Sequence, residues 1–201
     1  MKRYKENESA AAAEALADGA LLAFPTDTVF GLGTMYGSLA RLKRLKNAKH
    51  RPETKPVPFM TDSLEKLSEL AEVTGSAALL ADAFLPGALT LVLNRRSSVP
   101  ADYTNGLDTI AVRIPDAPAL LEVMHQLPWP LLVTSANQSG EPAALNADQA
   151  QQALPEIDGV MEGTCKGGIA STIVDCTCSP VKILRQGPIA EEEIRNVLEK
   201  L

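Results

Sequence analysis

Short apolar runs bounded by proline, glycine or polar residues alternate with helix-period segments along almost the whole chain. This alternation restricts the possible folds more than any other feature. The runs at residues 20–24, 57–60, 89–93, 109–114 and 131–134 read as buried strands. Between them, residues 9–18, a segment entered through Ser38, and residues 75–84 and 118–126 carry helical spacing. Asp62 with Glu65 three positions on reads as a capping box for a helix through Leu70, and Asn146 as the cap of a helix reaching Leu154. Residues 171–176 and 181–184 flank a turn at Ser179-Pro180 and are expected to pair antiparallel, before a last helix from Ala190. Strands alternating with helices but ending in a hairpin imply an α/β fold of the α+β type. The expected architecture is one domain over residues 1–201, with a twisted, mixed parallel and antiparallel sheet flanked by helices.

Composition narrows the function classes. Hydrophobic residues make up 45% and charged residues 22%, which excludes a disordered tail. No apolar run approaches the ~20 residues that cross a bilayer, and the charged N-terminal residues are unlike a secretory signal. A cytoplasmic location is therefore expected, with no membrane partner. Cys165, Cys176 and Cys178 have no paired spacing that supports a disulfide framework or a zinc site. The net charge is −6, yet residues 41–55 hold seven of the 19 basic residues and one of the 25 acidic ones. Such a stretch reads either as a field for an anionic ligand or short nucleic acid, or as a solvated helix face.

Several catalytic patterns are missing. Gly31-Leu32-Gly33 is not followed by a Gly-Lys-Ser/Thr sequence, there is no Gly-x-Ser-x-Gly elbow, and His50 and His125 have no triad spacing. Chemistry must then rest on Lys, Arg, Ser, Thr, Asn and backbone groups. That inventory suits phosphoryl or nucleotidyl transfer, where positioning and charge neutralisation dominate. Polar segments follow or border the strands, where open α/β sheets bind ligands. Arg113 is the sharpest case, a lone guanidinium in an apolar strand that reads as either an edge residue or a ligand clamp, because an unpaired buried charge is too costly to be idle. Lys49 and Arg51 cap the basic stretch and are the candidates for a triphosphate. Thr26 and Thr28 also read as strand-end hydroxyls of a turn, and Asn137 as a turn cap.

Seven segments carry a resemblance. They are Pro-Thr-Asp-Thr-Val-Phe-Gly-Leu-Gly at 25–33, Lys-His-Arg-Pro at 49–52 with Lys55-Pro56, and Pro-Gly-Ala-Leu-Thr at 86–90. Thr-Ile-Ala-Val-Arg-Ile-Pro at 109–115, Ser-Ala-Asn-Gln-Ser-Gly at 135–140, Ser-Thr-Ile-Val-Asp at 171–175 and Leu-Arg-Gln-Gly at 184–187 complete the set. In this order they resemble the YrdC family of threonylcarbamoyl-adenylate synthases. The resemblance implies a YrdC-like fold and an enzyme joining L-threonine, bicarbonate and ATP into threonylcarbamoyl-AMP and pyrophosphate, for threonylcarbamoyladenosine modification of tRNA. It implies threonine contacts from Thr28, Arg113, Ser135 and Ser171, and ATP contacts from Arg51, Lys55, Thr109, Asn137 and Arg185. Lys49 and Arg51 are the implied catalytic pair.

Mg2+ is expected with the ATP, and no protein-held metal. Partners that modify tRNA are expected, with weak, salt-sensitive tRNA or double-stranded RNA binding. Three departures from the family pattern stand out. Met60 replaces a common His, Ala117 lies where a Pro-x-His-Pro sequence is usual, and Leu145 stands where a polar residue is common. The rival readings are an RNA-binding module without catalysis and a carbamoyl-phosphate-dependent adenylating domain.

Overall fold

Ten short runs pair into one sheet, because each buries apolar side chains on at least one face and leaves its amides to a neighbouring strand. The computed structural model describes residues 1–199. In chain order the elements are β1 (Lys2–Tyr4), α1 (Ser9–Ala17), β2 (Leu22–Phe24), β3 (Gly31–Met35), α2 (Leu39–Ala48), β4 (Phe59–Met60), α3 (Leu64–Leu70) and α4 (Ser76–Phe84). There follow β5 (Leu89–Asn94), β6 (Thr109–Arg113), α5 (Pro118–His125), β7 (Leu131–Ser135), α6 (Ala147–Ala153), β8 (Gly159–Met161), β9 (Thr172–Asp175), β10 (Lys182–Arg185) and α7 (Glu191–Leu198). The strand order is β1-β8-β2-β3-β7-β4-β6-β5-β9-β10. Parallel pairs (β1 with β8, β2 with β8, β4 with β6, β5 with β9) mix with antiparallel ones, including the expected β9–β10 hairpin.

Three strands are not legible in the sequence. β1 and β8 are three residues each. β3 begins Gly-Leu-Gly, and glycine normally weakens a strand. Here it is required: a Cβ on Gly31 or Gly33 would stand 2.8 or 2.7 Å from the Phe24 ring, which lies across the strand.

The two faces of the sheet are covered unequally. One face packs Leu32, Phe59, Leu91, Val112, Leu132 and Val174 into the main core, beneath α2, α3, α4, α6 and α7. On the other face, α1 and α5 press Leu16, Leu120 and Val123 onto Phe24, Met60 and Val133. That second cover reaches β1, β8, β2, β3, β7 and β4 but not β6, β5, β9 or β10. Farther along the same face, Ala111, Val92 and Ile173 are only half-buried. The edge of the helical cover therefore leaves a concavity over the middle of the sheet.

Two caps differ from expectation. Ser63, not Asp62, caps α3, its Oγ accepting the Lys66 amide at 3.3 Å. Asp62 instead takes Lys66 Nζ at 2.9 Å and His125 Nδ1 at 2.6 Å, tying α3 to α5. Ser38 stands at the start of α2 without a side-chain cap bond, whereas Asn146 caps α6 as expected. The basic stretch turns mostly inward. Arg41 donates to the Ala17 carbonyl at the end of α1, Arg44 grips Asp158 with two 2.7 Å bonds, and buried Lys46 donates to the Glu53 carbonyl and Asn105. Lys43 and Lys55 are the cations of this stretch that have neither a hydrogen bond nor an ion pair among the described residues. The field for nucleic acid is correspondingly small.

A buried threonine closes the far edge. Thr172 Oγ1 donates to the Ile189 carbonyl at 2.9 Å and accepts the amides of Gly187 and Ile189 at 3.0 and 3.2 Å. This folds the turn after β10 back on the start of β9 and sets the position of Arg185. A Cβ on Gly187 would stand 2.3 Å from the Thr172 nitrogen and 2.4 Å from the Ala170 carbonyl oxygen, both backbone. Gly187→Ala should cost about 1–3 kcal/mol by overpacking. For a chain of this length, that is a fall of roughly 2–4 °C in Tm per kcal/mol, read by thermal melting.

Candidate active site

Where α1 and α5 stop, the sheet face opens into a cavity of about 370 Å³. Its four cations come from three separate segments. Arg113 ends β6, Arg185 ends β10, and Arg51 and Lys55 lie on the loop after α2. Asp27, in the loop between β2 and β3, pairs with Arg113 from outside the cavity lining.

Arg113 is 5% exposed and held on three sides. Nε donates to the Gly87 carbonyl at 2.9 Å, Nη1 to Thr28 Oγ1 at 3.0 Å and Nη2 to Asp27 Oδ1 at 2.6 Å. The lone guanidinium of this apolar strand thus has a counter-ion. Asp27 belongs to the Pro-Thr-Asp-Thr segment, but nothing in spacing alone joins positions 27 and 113. A guanidinium carries five N–H groups, so three bonds leave one on each terminal nitrogen. Those two remaining donors are open to a further acceptor. Burial pushes the Arg113 pKa down, with Asp27 pulling the other way.

Hydroxyls line the same end of the cavity. Thr26 Oγ1 gives its proton to the Val29 carbonyl at 2.7 Å, so the 3.0 Å contact with Thr28 has Thr28 as donor. Thr28 Oγ1 is left with lone-pair capacity beyond the Arg113 bond. Ser171 Oγ lies 2.7 Å from Thr90 Oγ1, and the Ser171 carbonyl accepts Arg185 Nε and Nη2 at 3.0 and 2.9 Å. Thr90 was not singled out by sequence reasoning; it lies next to Leu89 in an apolar strand. Burial, and then the charge of Arg113, lower the Arg185 pKa. Arg51 donates from Nη2 to the Pro56 carbonyl at 2.8 Å, while its buried Nε has no partner.

Lys49 follows α2 directly and is 2% exposed. Its ammonium donates to the Ser135 carbonyl and, at 2.8 Å, to Asn137 Oδ1. Asn137 also accepts Ser135 Oγ at 2.6 Å and donates to the Gln138 and Glu141 carbonyls. All four hydrogen-bonding positions of that amide are used within the protein. Lys49 and Asn137 therefore shape the loop after β7 from behind the cavity wall, and a direct nucleotide contact needs one of these bonds exchanged.

Residues 14–187 match the family model Sua5/YciO/YrdC, described as "Telomere recombination". The chain belongs to this family. The threonylcarbamoyl-AMP synthase of Pyrococcus abyssi is 37% identical over 203 residues, covering 100% of this chain and 60% of that protein. The Bacillus subtilis threonylcarbamoyl-AMP synthase is 34% identical, covering 94% and 56%. The chain thus spans about 60% of the length of these curated relatives. The crystal structure of P. abyssi Sua5 complexed with L-threonine superposes with a TM-score of 0.93 at 35% identity, over 98% of this chain and 61% of that one.

Seven of the ten positions expected from the family pattern meet at the cavity. Thr28, Arg113, Ser135 and Ser171, expected at threonine, line it, as do Arg51, Lys55 and Arg185, expected at the nucleotide. Lys49 and Asn137 stand behind it. Thr109 lies on the sheet face of the cavity by the two-residue period, one step beyond Ala111, but not in its lining. Of the family departures, Met60 lines the cavity while also packing against α5, and Ala117 and Leu145 do not line it. The lining contains no Asp, Glu or His side chain, and no group of three or more metal-ligating side chains occurs among the described residues. Such a donor set does not fit a resident metal. Mg2+ held by phosphate oxygens and water needs little from the protein.

Burial, with the nearby charge of Arg51, lowers the Lys49 pKa from 10.5 to about 7. Between those values the unfolded chain keeps a proton that the folded chain has released, so stability rises with pH across this window. Between pH 7 and 9 the gain from Lys49 is on the order of 1–2 kcal/mol. Urea unfolding at both pH values should show that gain in the parent chain, and its loss in Lys49→Met.

Proposed function

We propose that this chain is a cytoplasmic nucleotidyltransferase, an L-threonylcarbamoyladenylate synthase that supplies tRNA-modifying partner proteins. The reaction takes L-threonine, bicarbonate and ATP to threonylcarbamoyl-AMP, pyrophosphate and water. One observation carries the reading: a cavity ringed by Arg51, Lys55, Arg113 and Arg185 has no carboxylate in its lining, and the Arg113 fork, paired with Asp27 outside that lining, keeps two donors unused. Such a site attracts a polyanion together with a small carboxylate. The names of the curated relatives and the threonine complex of P. abyssi Sua5 support the same assignment.

The chemistry follows from the donor set. Arg113 holds the amino-acid carboxylate, while Thr28, Ser135 and Ser171 offer hydroxyls to the rest of the molecule. The threonine amine and bicarbonate give a carbamate with loss of water. A carbamate oxygen then attacks the α-phosphorus, and the bond to the bridging oxygen of pyrophosphate breaks. Negative charge grows on the leaving group, where Arg51, Lys55 and Arg185 stabilise it. The same charge, arriving in the cavity, favours the protonated form of Lys49 behind the wall. Mg2+ entering with ATP adds charge neutralisation on the phosphates.

Incubation with ATP, bicarbonate and labelled threonine should release pyrophosphate and yield a labelled adenylate. Pyrophosphate release that does not depend on threonine would sink the assignment. Arg113→Ala should raise KM for threonine by roughly 10²-fold, because a buried charge-assisted contact is removed, and raise KM for ATP far less. Equal effects on both substrates would show that Arg113 does not hold the amino acid.

A further inference from the structure

The sheet continues past the hydroxyl-lined end of the cavity, beyond the reach of α1 and α5 among the described residues. Val92 of β5 pairs directly with Ala111 of β6, and Ile173 of β9 pairs with Thr90 of β5 and Arg185 of β10. Ala111, Val92 and Ile173 all line the cavity and are half-buried, forming a flat apolar shelf across three strands.

β10 adds a fourth member in an irregular way. Its register against β9 shifts between Ile183 and Arg185, which leaves Leu184 as an extra residue. In a regular strand Leu184 and Arg185 would point to opposite faces, yet both line the cavity. A bulge re-aims a side chain in this manner, and bulges are frequent beside active sites. Leu184 is 54% exposed, a large apolar group held open to solvent next to a cluster of cations.

The polar lining side chains are Thr, Ser, Arg and Lys throughout, with no Asn, Gln, Asp, Glu or His among them. Selecting adenine by its edge typically uses a bidentate side-chain amide, whereas the cations of this cavity are the groups that meet phosphates. No such amide is aimed into this cavity. The site offers a surface to the flat face of a base and no side-chain amide or carboxylate to its edge.

We infer that the shelf of Ala111, Val92, Ile173 and Leu184 seats the nucleobase by its face alone, so that the enzyme accepts purine nucleoside triphosphates as a class. This rests on the proposed adenylating reaction. Arg185, next in the chain to Leu184, then stands at the junction between base and phosphates, which explains why the bulge places the two residues on one side.

Pyrophosphate release with threonine and bicarbonate should be measured for ATP, GTP and ITP, with the parent chain and with Leu184→Ser and Leu184→Met. The three purines are expected to give kcat/KM values within about tenfold of each other, since a site without edge recognition lacks the ~10⁴–10⁵ discrimination of a hydrogen-bonding one. Leu184→Ser should raise KM for all three alike by about tenfold with KM for threonine unmoved, and Leu184→Met should retain the parent values. Discrimination for ATP above about 10³-fold, or parental nucleotide KM values in Leu184→Ser, would overturn the inference. Direct titration of non-hydrolysable ATP and GTP analogues makes the same comparison without turnover. Absence of reaction with threonine, which counts against the proposed function, is thereby told apart from failure of the shelf.

Discussion

Arg113 carries a positive charge in the middle of a sheet, 5% exposed, and the rest of the site is arranged around the consequence. Removing a guanidinium from water costs several kcal/mol unless partners surround it. Asp27, Thr28 and the Gly87 carbonyl are those partners, and each comes from a loop at the edge of the helical cover. Holding Asp27 and Thr28 in place fixes the loop between β2 and β3, and Thr26 locks it further through the Val29 carbonyl. Holding Gly87 fixes the turn into β5. One ion pair thus organises three segments distant in sequence, while satisfying Arg113 only in part.

The remaining cations are arranged by neutral oxygens, mostly backbone carbonyls, and not by counter-ions. Arg185 rests on the Ser171 carbonyl, Arg51 on the Pro56 carbonyl and Lys49 on the Ser135 carbonyl and the Asn137 amide. Carbonyl oxygens orient a cation without cancelling its charge, so the cavity stays positive although the chain carries a net charge of −6. Burial depresses the pKa values of Arg51, Arg113 and Arg185 together, the signature of cations crowded out of water. An arriving polyanion relieves that crowding, and this relief is a direct source of ligand affinity.

Much of this was legible in the sequence. The mixed sheet, the final hairpin and the Asn146 cap follow from period and turn chemistry, and the ordered motifs gave seven residues that meet in one cavity. What stayed hidden has physical causes. β3 escaped notice because its glycines serve the Phe24 ring and not the strand. Asp27 as the counter-ion of Arg113 depends on a contact across 86 positions, which no local pattern encodes. The basic stretch suggested a surface field, yet a linear count of charges cannot tell that Arg41 caps a helix, Arg44 pairs with Asp158 and Lys46 is buried. The Leu184 bulge was invisible for a similar reason, since a register shift exists only between two strands.

We propose that the Arg113 fork, already tied to Asp27, keeps two donors for an amino-acid carboxylate. Calorimetric titration of L-threonine against L-threoninol, which has the same side chain and amine but no carboxylate, tests it most directly. Threonine should bind with measurable heat, and threoninol should bind at least about 10-fold more weakly through loss of the charge-assisted pair. Equal affinity for the two would show that the unused donors of Arg113 face something other than substrate.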